Sequence, residues 1–128
     1  MIASHSYIKT DFHHEEDLLY YCKSLFSGTF KSENDGVLEE DQYQRGLRHG
    51  IQKTFFRNGN LKQATMCTNG LKNGRSIEYY SCGAKKTNAS YTEGLLGGTL
   101  EEWDSSGVLK SRRTYFKGKL IAAKAATY

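Results

Sequence analysis

"GLKNGRSIEYYSCGAKKTNASYTE", residues 70–93, opens with two glycines four residues apart and places a third, Gly83, after a strand-length polar and aromatic run. The stretch before it, "GLRHGIQKTFFRNGNLKQATMCTN" (46–69), and the stretch after it, "GLLGGTLEEWDSSGVLKSRRTYFK" (94–117), repeat that arrangement. Gly46, Gly70, Gly94 and Gly118 are each 24 residues apart, as are Gly50, Gly74 and Gly98, and Gly59, Gly83 and Gly107. Three glycine columns in phase over three successive units define a repeat, and a repeat decides the architecture before any local reading does.

Other columns keep step with the glycines. Phe55, Tyr79 and Trp103 hold one position for a large aromatic, and Cys67, Tyr91 and Tyr115 hold another for an apolar or aromatic side chain. Leu61, Lys85 and Leu109 align with one exception, and Lys62, Lys86 and Lys110 align without any. A damaged fourth unit lies upstream, where "SGTFKSENDGVLEEDQYQRG" spaces Gly28, Gly36 and Gly46 one residue short in each arm. Within a unit, "IQKTFFRN" and "NLKQATMCT" are of strand length, rich in aromatic and β-branched residues, and bounded by glycine turns. Asn58-Gly59 is a strong hairpin signal, since a type I′ turn needs positive φ at both central residues. Each unit therefore reads as a β-hairpin, with the GLxxG segments joining one hairpin to the next. A lone hairpin is barely stable in water, so successive hairpins must stack side by side. Phe55, Tyr79 and Trp103 are the expected core aromatics, and Phe56 and Tyr80, their sequence neighbours, point to the other face.

A hairpin opened by "GLKNG", carrying an aromatic pair such as "YY", a turn glycine and an "xLK" strand, resembles the MORN repeat variant family. The resemblance covers about residues 46–122 well and 28–45 in part. It implies a mostly β chain: an antiparallel β-hairpin meander of 24-residue repeats forming an elongated single-layer sheet. As to function, it points in two directions. Bacterial proteins resembling this variant include proposed antitoxins and immunity-type proteins, while other MORN arrays are scaffolds associated with anionic lipid. Lys85 departs from the leucine column and predicts a more solvated second unit.

Upstream of the repeats, residues 12–26 read as a helix. Asp11 is a good N-cap, Glu15, Glu16 and Asp17 complement the helix dipole, and Leu18, Tyr21, Cys22 and Leu25 form a stripe at i, i+3, i+4, i+7. Such a helix would cap the first repeat. The domain organisation that follows is a capping segment over 1–27, repeats over 28–122 and a tail over 123–128, in one domain. The tail belongs either to a short helical cap or to a disordered end.

The whole chain of 128 residues carries a net charge of +4, distributed unevenly. Residues 1–45 hold nine acids against four bases, a net of −5, and residues 46–128 hold fourteen bases against five acids, a net of +9. Such asymmetry predicts a charged partner surface or internal neutralisation. Cys22, Cys67 and Cys82 are odd in number and form no CxxC, which argues against a disulfide framework and for a reducing, cytoplasmic setting. The sequence shows neither a signal-peptide pattern nor a transmembrane run.

Catalytic and metal chemistry find little support. His13 and His14 are adjacent, and on a helix they would diverge by about 100° and could not share one ion. Cys67 and Cys82 occupy repeat columns held elsewhere by tyrosine and serine, so packing and turn roles explain them. No glycine loop follows a strand and opens a helix, as a phosphate cradle would. The expectation is therefore no catalytic residue, no metal, no cofactor and no enzyme activity.

The surface that the repeat enforces is the Lys62, Lys86, Lys110 column. With Phe56, Tyr80, Arg57 and Arg112 it forms a basic ladder interleaved with rings, the first candidate for partner binding. The alternative interface is the acidic end: Glu15, Glu16, Asp17, Glu39, Glu40 and Asp41. The expected function is a small protein-binding module, an antitoxin or immunity protein that neutralises a toxin by steric occlusion. The alternative is a scaffold that binds an anionic surface, nucleic acid or acidic lipid, through the lysine ladder.

Overall fold

The structure, a computed structural model, describes residues 11–125. Fourteen strands run through it: β1 Phe12–Glu15, β2 Leu18–Tyr21, β3 Ser24–Leu25, β4 Gly28–Asn34, β5 Val37–Gln44, β6 Leu47–Arg48, β7 Gly50–Phe55, β8 Leu61–Thr68, β9 Leu71–Tyr79, β10 Lys85–Thr92, β11 Leu95–Leu96, β12 Gly98–Trp103, β13 Leu109–Phe116 and β14 Lys119–Ala125. β4 to β14 form one antiparallel 11-stranded sheet whose path is the order of the chain, and β1–β3 form a separate three-stranded sheet. The sheet is an open meander. No helix of the described chain is long and apolar enough to cross a membrane.

Two kinds of turn alternate along it. At one edge, Arg45-Gly46, Asn69-Gly70, Glu93-Gly94 and Lys117-Gly118 all have positive φ at both residues, 47–51° and then 79–86°, the signature of a type I′ hairpin. At the other edge the loops are longer. Phe56 and Asn60 bond across the first, and within it Gly59 alone takes positive φ (90°). Asn58-Gly59 is thus not the expected type I′ turn. Three loop residues let Asn58 keep negative φ, and its side chain instead accepts the Asn60 N–H at 2.9 Å.

Each long-loop hairpin then shifts register in the same place. Phe55 pairs with Leu61 but Thr54 with Gln63; Tyr79 with Lys85 but Glu78 with Thr87; Trp103 with Leu109 but Glu102 with Ser111. The residue left over is Lys62, Lys86 or Lys110. The invariant lysine column is the extra residue of a β-bulge, placed so that the three-residue loop and the strands keep their faces. The β4–β5 hairpin has neither device. Its Asp35-Gly36 turn (φ 53° and 81°) closes an unbroken register from Asn34↔Val37 to Gly28↔Tyr43, which accounts for the two residues missing from that unit.

Burial reverses one expectation. Phe55, Tyr79 and Trp103 are only half-buried, and Leu61 and Leu109 are no better covered. The buried file lies on the opposite face and is mostly polar: Gln52, Thr65 and Ser76, with Ala89, at 6–9% exposure, and Asp41, Tyr43 and Cys67 beside it. Polar groups survive there because they pair. The Thr65 and Ser76 hydroxyls meet at 2.8 Å, and the Gln52 amide accepts from the Gln42 N–H at 3.2 Å and donates to the Gln42 carbonyl at 3.0 Å, standing in for a ladder rung. Lys85 is exposed, as its departure from the leucine column implied.

The capping helix is absent, and the segment it was assigned to folds as hairpins. β1 pairs β2 around Glu16-Asp17, and β2 pairs β3 around Cys22-Lys23, with Glu16 (φ 56°) and Cys22 (φ 58°) adopting the left-handed backbone themselves. The helical stripe lost because Phe12, Tyr20 and Tyr21 favour a pleated surface, and because strand pairing lets Leu19 and Phe26 pack on Tyr43. Cys22, expected in an apolar stripe, is an exposed turn residue. Leu19 (0% exposed), Phe26 and Tyr43 form the core cluster, flanked by Phe12, Tyr21 and Phe30. The first ten residues, including His5, and the last three of the expected tail lie outside the described residues. Of that tail, residues 123–125 belong to β14 rather than to a helix.

Candidate interaction surfaces

The long-loop edge carries the basic ladder. Lys62, Lys86 and Lys110, fixed by their bulges, are exposed one per unit, and since a unit is two strands wide they recur about every 10 Å. Lys62 Nζ lies 5.7 Å from the centre of the Phe56 ring, and Lys86 Nζ lies 5.7 Å from that of Tyr80, the same pair reproduced one unit later. Each is worth about 0.5–1 kcal/mol at an exposed site. In the third unit the ring is replaced by Asp104, whose carboxylate takes the Ser106 and Val108 N–H groups and the Ser106 hydroxyl. Those bonds hold its carboxyl below the usual range, the Ser106 hydroxyl first among them.

The remaining members of the predicted ladder are structural neighbours of it. Arg57 lies over the Asp35-Gly36 turn, so close that a Cβ on Gly36 would meet its Cγ at 2.9 Å. Tyr80 donates its hydroxyl to the Trp103 carbonyl at 2.8 Å. Arg112 is pinned across the sheet by Glu101, at 2.9 and 3.2 Å. The ladder is therefore Lys62, Lys86 and Lys110 with two rings, and Arg112 stands apart from it.

The acidic end does not gather into one patch. Glu15, Glu16 and Asp17 are exposed around the β1–β2 turn. On β5, Glu40 faces its cross-strand partners Lys31 and Lys53, while Glu39 and Asp41 face the other side. Asp41 is buried. Its desolvation pushes its pKa up from 3.8, against the pull of Arg48 at 3.8 Å and with a smaller push from Glu39. Burial likewise pushes up the Tyr43 hydroxyl and the Cys67 thiol, Arg48 again opposing. Arg48 stands 5.6 Å over the Tyr43 ring, so these groups form one partly neutralised knot under the first full unit. A thiol held protonated is a poor nucleophile. His13 stacks on Tyr20 at 5.0 Å, and among the described residues no group of His, Cys, Asp and Glu could hold a metal ion.

The apolar surface lies along the type I′ turn edge and was not evident in the sequence. Leu47, Leu71 and Leu95, the leucines that follow each turn glycine, each extend to the next unit's glycine, 3.2–3.6 Å from where a Cβ would stand on Gly70, Gly94 and Gly118. Leu71 and Leu95 remain half exposed (50% and 51%), and Phe116, Leu120 and Ile121 continue the exposure at 61%, 53% and 63%. Leu95, Leu96 and Phe116 line a hollow of about 320 Å³ with Thr92, Glu93 and Lys117. Only the spacing of the leucines signalled this surface, since burial and exposure of one column are indistinguishable in sequence.

No curated protein matches the chain. Two stretches, residues 48–66 and 96–117, match the family model described as the MORN repeat variant, and these are parts of the hairpin units whose turns, bulges and leucine contacts repeat through the sheet.

Proposed function

We propose that the chain is a non-catalytic protein-binding module, and that it acts in the cytoplasm as an antitoxin or immunity protein that covers a toxin and occludes its site. The observation that carries this reading is the file of exposed large apolar side chains on one face of the turn edge, Leu71, Leu95 and Phe116, at 50%, 51% and 61% exposure. Contiguous apolar exposure of this kind marks a surface made to be covered. The held-protonated Cys67 thiol supports a non-catalytic role. The test is capture on the tagged chain from source lysate at low and high salt. One stoichiometric protein should be retained at high salt and released by Leu95→Glu with Phe116→Glu. Expressed alone it should arrest growth, and co-expression of the chain should relieve the arrest. A retained protein that is harmless alone removes the antitoxin role.

A second reading, a scaffold on nucleic acid or acidic lipid, is favoured by the three bulge lysines and their rings. It predicts binding to anionic vesicles or single-stranded nucleic acid that falls steeply with salt and is lost in the Lys62→Glu, Lys86→Glu, Lys110→Glu variant. Binding indifferent to salt removes it.

A further inference from the structure

The hairpins are joined by a file of turn bonds. Gly46 donates its N–H to the Phe26 carbonyl at 2.7 Å, Gly70 to Arg48 at 2.8 Å, Gly94 to Lys72 at 2.8 Å and Gly118 to Leu96 at 2.7 Å. Arg48, Lys72 and Leu96 each stand two residues after a turn glycine. Leu120 stands two residues after Gly118, and among the described residues no following turn reaches its carbonyl. Its orientation follows from the hairpin. Phe116↔Lys119 closes a two-residue turn and so exchanges both backbone bonds, which turns the N–H and C=O of the next residue, Leu120, away from β13. Among the described residues β14 is the last strand of the sheet, with β13 as its ladder partner.

The side chains of β14 sort by face. Lys119, Ala122 and Lys124 share the face of Phe116, Thr114 and Arg112, while Leu120 and Ala123 share that of Tyr115 and Arg113. One side of the open edge is cationic, with Lys117 nearby over the Phe116 ring at 5.4 Å, and the other is apolar. Lysines on an edge repel a second identical edge, and Gly46, Gly70, Gly94 and Gly118 of a second copy already spend their N–H groups on their own preceding units. The occupant that fits is of opposite charge.

We propose that β14 is a docking edge for an extended acidic segment of a partner protein, whose backbone adds a twelfth strand, with carboxylates facing Lys119 and Lys124 and apolar residues facing Leu120. The proposal rests on the binding-module reading only in naming where partner backbone docks, and its test needs no toxin. Labelled peptides of about eight residues, alternating Glu-Val or Lys-Val, are titrated onto the full chain by fluorescence anisotropy at low salt. The Glu-Val peptide should bind with Kd below about 1 mM and the Lys-Val peptide at least about ten-fold more weakly. Amide exchange should slow around Leu120. Lys119→Glu with Lys124→Glu should invert the preference, and Lys62→Glu with Lys86→Glu should leave it unchanged. Equal binding of both peptides, no binding of either, or loss in the Lys62/Lys86 variant overturns the proposal. So does a dimer in sedimentation that protects the β14 amides, which would give the edge to a second copy. A toxin captured by the chain while both peptides fail would leave the module reading standing and remove β14 from it.

Discussion

Gly46 and Gly59 both take positive φ, 79° and 90°, yet their surroundings differ. A Cβ on Gly59 would meet nothing, whereas one on Gly46 would stand 2.8 Å from Leu25 Cδ2 and 3.1 Å from the Leu19 carbonyl oxygen. Gly59→Ala should cost about 1–2 kcal/mol of backbone strain alone, and Gly46→Ala about 1–3 kcal/mol beyond that, where the first full unit meets the β2–β3 hairpin. Urea unfolding of the two variants checks the order. Asp41 offers a test by pH. Its carboxyl is raised above 3.8 in the folded chain, so the protonated form is favoured by folding. The contribution is fully present below 3.8 and is lost as pH rises through the folded value. Wild type should therefore lose stability relative to Asp41→Asn as pH climbs from about 4 toward neutrality, measured as the difference in unfolding midpoints. The sequence showed the glycines as columns but not which of them a side chain crowds, because crowding is decided by the neighbouring unit.

At the level of the hairpin, the lysine column was legible and its cause was not. One residue per unit is surplus to the ladder, and Lys62, Lys86 and Lys110 supply it. Replacing Lys86 by alanine keeps the bulge and should cost no more than about 1 kcal/mol, the worth of its contact with the Tyr80 ring. Deleting Lys86 leaves Thr87 opposite Glu78 and Ala89 opposite Ser76 but removes the bulge on which the long loop closes, at roughly 2–4 kcal/mol. Guanidinium unfolding of the two variants separates a side-chain role from a register role. The N-terminal hairpins were hidden for a related reason. Their turns use Glu16 and Cys22 where the repeats use glycine, so the punctuation was missing, and a helical stripe filled the gap. A local pattern satisfied both readings, and the packing of Leu19 and Phe26 on Tyr43 chose between them. The meander itself was readable because glycine spacing survives even where the core columns do not.

Across the whole molecule the two ends of the sheet are unlike. Near β4 lies the aromatic cluster, with Leu19 fully buried, and at the other end β14 exposes Leu120 and Ile121. Stability in such an array is carried by nearest neighbours. Amide exchange should therefore be slowest around β5 and quicken unit by unit toward β14, and Leu19→Ala, at about 2–5 kcal/mol, should flatten that gradient by loosening the protected end. The turn bonds have one more consequence, which concerns time. In each of them the donor glycine lies 20 or 22 residues after its acceptor, Gly46 after Phe26 and Gly118 after Leu96, never before it. A chain leaving the ribosome thus makes each carbonyl before the glycine that will bind it, and every new hairpin emerges onto a neighbour already formed. Synthesis and assembly run in the same direction. Ribosome-stalled chains of increasing length should accordingly gain protease resistance in steps, one for each turn glycine released from the exit tunnel.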